Sequence, residues 1–117
     1  MPYMLLIQEP VGQRQARTES EGHAVYERML EFTDQLKQRG VLLAVESLVS
    51  QDRATRIKVS NGRASVIDGP FAEAKEMIGG FFLLNCATRE QAVAIAAECP
   101  AAEWATVEVR ATGPCYT

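Results

Sequence analysis

The sequence predicts an α+β fold of the ferredoxin-like type, a split βαβ sandwich with an inserted β-hairpin. Apolar runs of strand length alternate with two amphipathic segments of helical spacing, in the order β-α-β, hairpin, β-α-β. Two βαβ units of this kind combine into one sandwich. The chain has 117 residues, which is too short for a second independent core. Residues 1–117 are therefore predicted to form a single domain.

The first unit begins with an apolar run over Tyr3–Gln8, which predicts a buried strand. Residues 9–19 are polar and contain a proline and a glycine, which indicates a loop. Thr18 and Glu21 have the spacing of a capping box, so a helix is expected to begin there. Gly40 is typical of the C-terminal end of a helix. The apolar residues between them recur at helical spacing and are Val25, Met29, Phe32 and Leu36.

A second apolar run over residues 41–45 predicts the next strand. Residues 55–60 then alternate between apolar and basic side chains, and residues 64–67 return as a partner strand. Asn61 and Gly62 stand between them, and this pair is typical of a type I′ turn, in which both central residues need a positive φ. A β-hairpin is therefore predicted here.

The second half of the chain repeats the βα pattern. Residues 71–78 predict a loop or a short helical turn, and residues 79–86 predict a third apolar strand. Residues 88–91 have the pattern of a second capping box, which places the start of the second helix. Pro100 is expected to end this helix, and a last strand is predicted over residues 104–109.

The strands at 4–7, 41–45 and 81–84 are apolar on both sides, although a sheet covered on one face should alternate. Right-handed crossovers place both helices on the same face. At about 25 cal/mol per Å2 of apolar surface, leaving the other face in water would forfeit many kcal/mol of stabilisation. A second copy related by a two-fold axis is the simplest cover. The sequence therefore predicts a homodimer through the sheet face.

Composition excludes several functional classes. The net charge is -3, and basic and acidic residues are interleaved, so the basic face of a nucleic-acid binder is not expected. The sequence has no run of about 18 apolar residues, so a membrane span is not expected. Its start lacks the basic region of a secretory signal. Cys86, Cys99 and Cys115 lack the spacing of a disulfide framework or a zinc site. A reduced, cytoplasmic protein without metal or cofactor is expected.

Asp68 is the first candidate for chemistry. It ends a predicted strand before a Gly-Pro turn, beside the aromatic ring of Phe71. A carboxylate held among apolar groups can serve as a general acid or base, whereas the ordinary alternative is that it caps its own turn. Phe71, Glu73 and Lys75 are then candidates for binding a polar substrate. The alternative for the two charged residues is a solvated face.

His23 is the second candidate, because it lies near the start of the first predicted helix. An imidazole there could shuttle a proton in a cleft, or it could simply be an exposed helix residue. Arg56 and Lys58 share one face of the hairpin strand. They would hold an anionic ligand or, alternatively, keep exposed strand edges from pairing.

Three segments carry a family resemblance. They are Tyr3–Ile7, then Asp68–Glu76 (DGPFAEAKE) followed by Gly79–Phe81, and finally Val107–Arg110. In this order they extend over nearly the whole chain. With them the chain resembles the YCII-related family, and more closely its DGPF-domain branch. The resemblance implies a dimeric α/β-barrel, in agreement with the homodimer expected from the strand pattern.

The resemblance also has functional implications. A His–Asp pair is proposed as the active site of smaller YCII-type members, which implies catalytic roles for Asp68 and His23. Some DGPF-type proteins are linked to extracytoplasmic-function sigma factors. Two hypotheses follow. The protein is either a small-molecule-binding homodimer, with acid–base chemistry at Asp68 if it is an enzyme, or a non-catalytic regulatory or binding module associated with such a sigma factor.

Overall fold

The computed structural model describes residues 2–117. Its strands are β1 (Tyr3–Pro10), β2 (Leu42–Ser47), β3 (Thr55–Ser60), β4 (Arg63–Asp68), β5 (Glu76–Leu84) and β6 (Thr106–Ala111). Its α-helices are α1 (Gln13–Ala16), α2 (Glu19–Gln38) and α3 (Arg89–Glu98). Two short 3-10 turns span Gln51–Arg53 and Pro100–Glu103.

Four strands form one antiparallel sheet in the order β2-β5-β1-β6. This order is consistent with a ferredoxin-like arrangement, in which the first and third main strands lie at the centre. Strands β3 and β4 pair with each other as a separate two-stranded sheet between β2 and β5 in the chain. The predicted α+β class with an inserted hairpin is thus confirmed.

The core lies between the sheet and the helices α2 and α3. Leu5 and Leu84 of the sheet are fully buried, as is Leu36 of α2. The rings of Phe32 and Phe82 meet edge to face, with centroids 5.3 Å apart. Helix α3 contributes small and apolar side chains to the same cluster, namely Ala92, Ile95, Ala96 and, just after its end, Cys99.

The opposite face of the sheet is also apolar. The strand register places Met4, Leu6, Phe81 and Leu83 on this face, and all four side chains are partly exposed. Both helices belong to the core on the other side. Strands β1 and β5 are therefore apolar on both faces, as the sequence predicts. The homodimer that this pattern suggests stays a prediction.

The capping boxes, the helix-ending glycine and the hairpin turn form as the sequence predicts. The Thr18 hydroxyl accepts from the N–H of Glu21 at 3.1 Å, and the Glu21 carboxylate accepts from the N–H of Thr18 at 2.8 Å. The second capping box closes in the same way at the start of α3. Gly40 has a φ of 71°, and the hairpin tip has a φ of 52° at Asn61 and 74° at Gly62, as a type I′ turn requires.

The prediction of a loop over residues 9–19 was wrong in part. Strand β1 continues to Pro10, and the short helix α1 follows. The strand pattern was hidden because position nine carries a charge, yet Glu9 is only 6 % exposed. Similarly, β5 begins at Glu76 and not at residue 79, since residues 76–78 pair with the end of β1. The last strand begins at Thr106, because Trp104 ends a 3-10 turn.

Candidate functional site

A cavity of about 510 Å3 lies between the N-terminal half of α2 and the sheet. The C-terminal half of α2 packs tightly, and its buried residues are Phe32, Thr33 and Leu36. Apolar side chains nearer the N-terminus of α2 line the cavity, and they are Val25, Tyr26, Met29 and Leu30. Met29 also packs against the edge of the core. Tyr26 and Leu30 remain 52 % and 46 % exposed.

Two glycines of β5 make the floor of the cavity. Gly79 and Gly80 lie beside Ile7 and Phe82 in the lining. A shift of register in β1 leaves Gly79 without a partner in that strand. A side chain at Gly79 would overlap the carboxylate of Glu9, and a Cβ at Gly80 would meet backbone atoms of β2. The Gly-Gly pair before the aromatic residues therefore makes room for a charged group and for an adjacent strand.

That charged group is an ion pair at one end of the cavity. The Arg14 guanidinium binds the Glu9 carboxylate through Nη2 and also through Nε, which is 3.1 Å from Oε2. Its Nη1 donates to the carbonyl of Leu48 at 2.9 Å. A buried carboxylate needs such a partner, because desolvation of an unpaired charge costs several kcal/mol. Helix α1 places Arg14 there after the turn at Gly12, which has a φ of 92°.

Trp104 lines the cavity from the side of the 3-10 turn. The side-chain amide of Gln13 donates to its carbonyl at 2.7 Å. Two guanidinium groups lie near the indole ring, with Arg17 at 5.7 Å and Arg28 at 5.5 Å from the centroid. Arg28 is also bound by Glu103. The site thus joins an apolar body to a polar end built by α1, β1 and the turn before β6.

Asp68 and His23 lie outside this cavity. Asp68 is exposed at the end of β4, where its Oδ1 accepts from the hydroxyl of Thr55 across the hairpin at 2.8 Å. His23 is exposed in the first turns of α2. Neither side chain lines a cavity described in this structure. The structure of the single chain does not bring the two residues together, and their catalytic roles stay predictions.

Phe71 and Arg56 line a second cavity, of about 470 Å3, and Glu73 is joined to them through Arg56. The Arg56 guanidinium stands 3.7 Å from the centroid of the buried Phe71 ring and lies 3.1 Å from the Glu73 carboxylate. Lys75 is not part of this group: its side chain is exposed, and its carbonyl accepts from the N–H of Val11 at 2.9 Å. Two of the three predicted binding residues are therefore adjacent.

The Asp-Gly-Pro-Phe segment also has a structural function. The N–H of Gly69 donates to the carbonyl of Ala54 at 2.8 Å, and a side chain at Gly69 would overlap the backbone of Gln51. The buried Gln51 amide lies 3.4 Å from the carbonyl of Phe71. These contacts attach the base of the hairpin to the rest of the chain.

Sequence reasoning missed Glu9, Arg14 and Trp104 as site residues. The first two fell in the segment predicted as a loop, and Trp104 was expected as the first residue of the last strand. One signal could have found Glu9. It continues the alternation of Leu5 and Ile7 along β1, so it occupies a core-facing position.

Residues 2–117 form no cluster of three metal-binding side chains. Within the same part of the chain, no helix is long and apolar enough to cross a membrane.

Comparisons with known proteins identify relatives of this chain. The chain is 43 % identical over 54 residues to an uncharacterized protein of Rhizobium meliloti (strain 1021). The match covers 46 % of this chain and 44 % of that protein, so less than half the length of the relative is spanned. The model of the YCII-related domain matches residues 1–114. The chain therefore belongs to the YCII-related domain family.

Proposed function

We propose that this protein binds a small molecule in the cavity between α2 and the sheet. One observation carries the proposal: apolar side chains of α2 line this open space, and Tyr26 and Leu30 among them remain exposed. Apolar side chains that face an open space forgo the stabilisation of burial. A ligand with an apolar body would supply that burial. The volume of about 510 Å3 falls within the range of about 300–1,000 Å3 that is usual for ligand sites.

The polar content of the cavity supports the same proposal. Ligand sites are mostly apolar and have a few fixed polar groups that orient the bound molecule. The Glu9–Arg14 pair is fixed by several hydrogen bonds at one end. The hydroxyl of Thr33, in the C-terminal half of α2, donates to the carbonyl of Met29 at 2.8 Å. The polar groups are therefore few and held in place.

A thermal-shift screen against a metabolite library tests the proposal, because a ligand that binds the native state raises Tm. Val25→Phe would fill the cavity from the helix side. Ala24→Phe is the matched control, since Ala24 is exposed on the same helix and lies outside the cavity. We expect a compound that raises Tm of the wild type and of Ala24→Phe but not of Val25→Phe. Equal shifts in all three proteins would contradict the assignment of the cavity.

We also propose that the functional unit is a homodimer through the sheet face. The partly exposed side chains of Met4, Leu6, Phe81 and Leu83 support this proposal. Acid–base chemistry at Asp68 would then need a second chain to enclose it, because Asp68 lies outside the cavities of its own chain. The catalytic part of the proposal depends on the dimer, whereas ligand binding under α2 does not.

A regulatory module, associated with an extracytoplasmic-function sigma factor, is the second candidate function. The hairpin supports it, because its apolar side chains are exposed and offer a surface for a protein partner: Ile57, Val59, Val66 and Ile67. Both hypotheses place the protein in the cytoplasm, as its three free thiols suggest. Ile57→Lys should abolish co-elution with the sigma factor, while Val25→Phe should preserve it. Co-elution that survives Ile57→Lys would contradict the docking of the hairpin.

A further inference from the structure

One cation at the polar end of the cavity has no matching anion. Arg17 follows α1 directly and is partly buried in the cavity lining. Its Nη2 donates to the side-chain oxygen of Gln13 at 3.1 Å. None of the ion pairs formed within residues 2–117 includes Arg17. A half-buried guanidinium without a carboxylate partner is a ready site for an anion.

The neighbouring arginines differ from Arg17 in this respect. Arg14 is neutralised by Glu9, and Arg28 is neutralised by Glu103. Glu21 is another nearby acid. Hydrogen bonds from Thr18 and, to a smaller extent, the charge of Arg17 lower the pKa of its carboxyl, but the carboxylate binds the N–H of Thr18 and forms no ion pair with Arg17. Arg17 is therefore the guanidinium at this end that is not held in an ion pair.

The other charged residues of the cavity lining also favour an anionic ligand. Lys37 lines its far end, and no carboxylate pairs with it among the ion pairs of residues 2–117. Glu46 belongs to the lining, but the strand register places it opposite Phe81, on the other face of the sheet from Val45. Its carboxylate therefore does not balance the cations beneath α2.

Trp104 restricts the side chain of Arg17. The guanidinium lies over the indole ring at 5.7 Å from its centroid, which is within the range of a cation–π contact. Such a contact limits the side chain before any ligand arrives, and this lowers the entropic cost of binding. The same cavity is lined by apolar residues that include Val25 and Met29 of α2 and Phe82 of the sheet.

We infer that the ligand is an amphipathic carboxylate, with its head group on Arg17 and its apolar body beneath α2. This inference rests on the proposed function of the cavity. A carboxylate suits the site better than a phosphate monoester, because one guanidinium with one free charge balances a single negative charge.

Fluorescence titration tests this inference, because Trp104 is the sole tryptophan of the chain. Three probes share one alkyl chain and differ in head group: decanoate, decanol and decyltrimethylammonium. In the wild type we expect decanoate to bind about tenfold more tightly than decanol, since a charge-assisted hydrogen bond contributes about that factor. The cationic probe should bind more weakly than decanol.

Variants of Arg17 distinguish the contribution of its charge to binding from the contribution of the apolar cavity. Arg17→Gln should bind decanoate and decanol equally, with decanol affinity close to that of the wild type. Arg17→Lys should restore part of the preference for decanoate. Arg89→Gln is the matched control, because Arg89 is exposed on α3 and outside the cavity, and it should keep the full preference. Calorimetry repeats the affinities independently of any change in the emission of Trp104 caused by the substitution.

The outcomes distinguish the two proposals. If decanoate and decanol bind the wild type equally, or if the preference persists in Arg17→Gln, the inference about the head group is overturned while ligand binding stands. If none of the three probes binds the wild type, or if binding is unchanged in Val25→Phe, the cavity beneath α2 is not an apolar ligand site. Both proposals then fail.

Discussion

The carboxylate of Glu9 is tolerated inside the protein because Arg14 meets it. Arg14→Gln would leave Glu9 buried without a cation. We expect the free energy of unfolding to fall by about 3 kcal/mol, at the lower end of the range for a broken buried pair because Arg14 keeps some contact with solvent. Urea denaturation measures this loss. Arg110→Gln is the control: it breaks only an exposed contact with Glu108, 3.6 Å long, and should cost at most about 1 kcal/mol. Equal losses in the two variants would mean that the buried pair does not stabilise the fold.

A single substitution tests the function of Asp68. Asp68→Asn keeps an oxygen that can accept the hydroxyl of Thr55 and removes the ionisable group. Stability should fall by at most about 1 kcal/mol. If Asp68 is a general acid or base, turnover of an identified substrate should fall about 100-fold or more, and this is the result we expect. Full activity in Asp68→Asn would rule out the catalytic role and favour the regulatory module.

At the scale of elements, the start of α2 makes stability depend on pH. Hydrogen bonds from the backbone and side chain of Thr18 lower the pKa of Glu21 in the folded chain. The unfolded chain lacks the capping box, so its Glu21 binds a proton at higher pH. The contribution of Glu21 is therefore complete above the unfolded pKa and is lost as the pH falls through the folded pKa. Thermal unfolding of Glu21→Gln across the acid range should show a weaker loss of stability than the wild type. Parallel curves would contradict this prediction.

The hairpin depends on its turn. Gly62 has a φ of 74°, and a β-branched residue is strained in that conformation. We expect Gly62→Val to destabilise the hairpin by about 1–2 kcal/mol. Amide hydrogen exchange in β3 and β4 measures this effect locally, and exchange in β1 serves as the internal control. Unchanged protection in the hairpin would mean that the turn tolerates a side chain. Ligand binding under α2 should not change, because the hairpin contributes nothing to that cavity.

The whole molecule is a thin plate that carries a projecting hairpin. Its extents are 46 × 41 × 18 Å, and its radius of gyration is 16.0 Å, whereas a compact chain of this length has about 13 Å. Only one face of the four-stranded sheet is covered by helices. The apolar face that the helices leave open is the surface through which we expect two copies to associate.

Two leucines test the dimer at this scale. Leu5 is fully buried in the core, whereas Leu83 is partly exposed on the opposite face. Leu5→Glu should therefore prevent folding, and Leu83→Glu should give a folded monomer. Sedimentation of the wild type at micromolar concentration should show about twice the mass of 12.9 kDa. A well-folded wild-type monomer would remove the argument for the dimer.

Much of the fold was determined by the sequence itself. The capping boxes, the glycine after α2 and the Asn61–Gly62 turn depend on residues a few positions apart, so a local pattern contains all the chemistry involved. The two-sided apolar character of the central strands was visible in the same way. The coarse architecture followed, because short connections leave few ways to pair such strands.

The candidate site was decided only by the tertiary structure. In α2, Phe32 and Leu36 are buried, whereas Val25 lines the cavity. Periodicity predicts the apolar stripe without showing how the helix lies on the sheet. Glu9 looked like a loop residue, since nothing in its own strand shows that Arg14 folds back to neutralise it. The cation–π contact of Trp104 with Arg17 joins residues that lie far apart in the sequence. Contacts of this kind depend on how the whole chain closes, which no local pattern records.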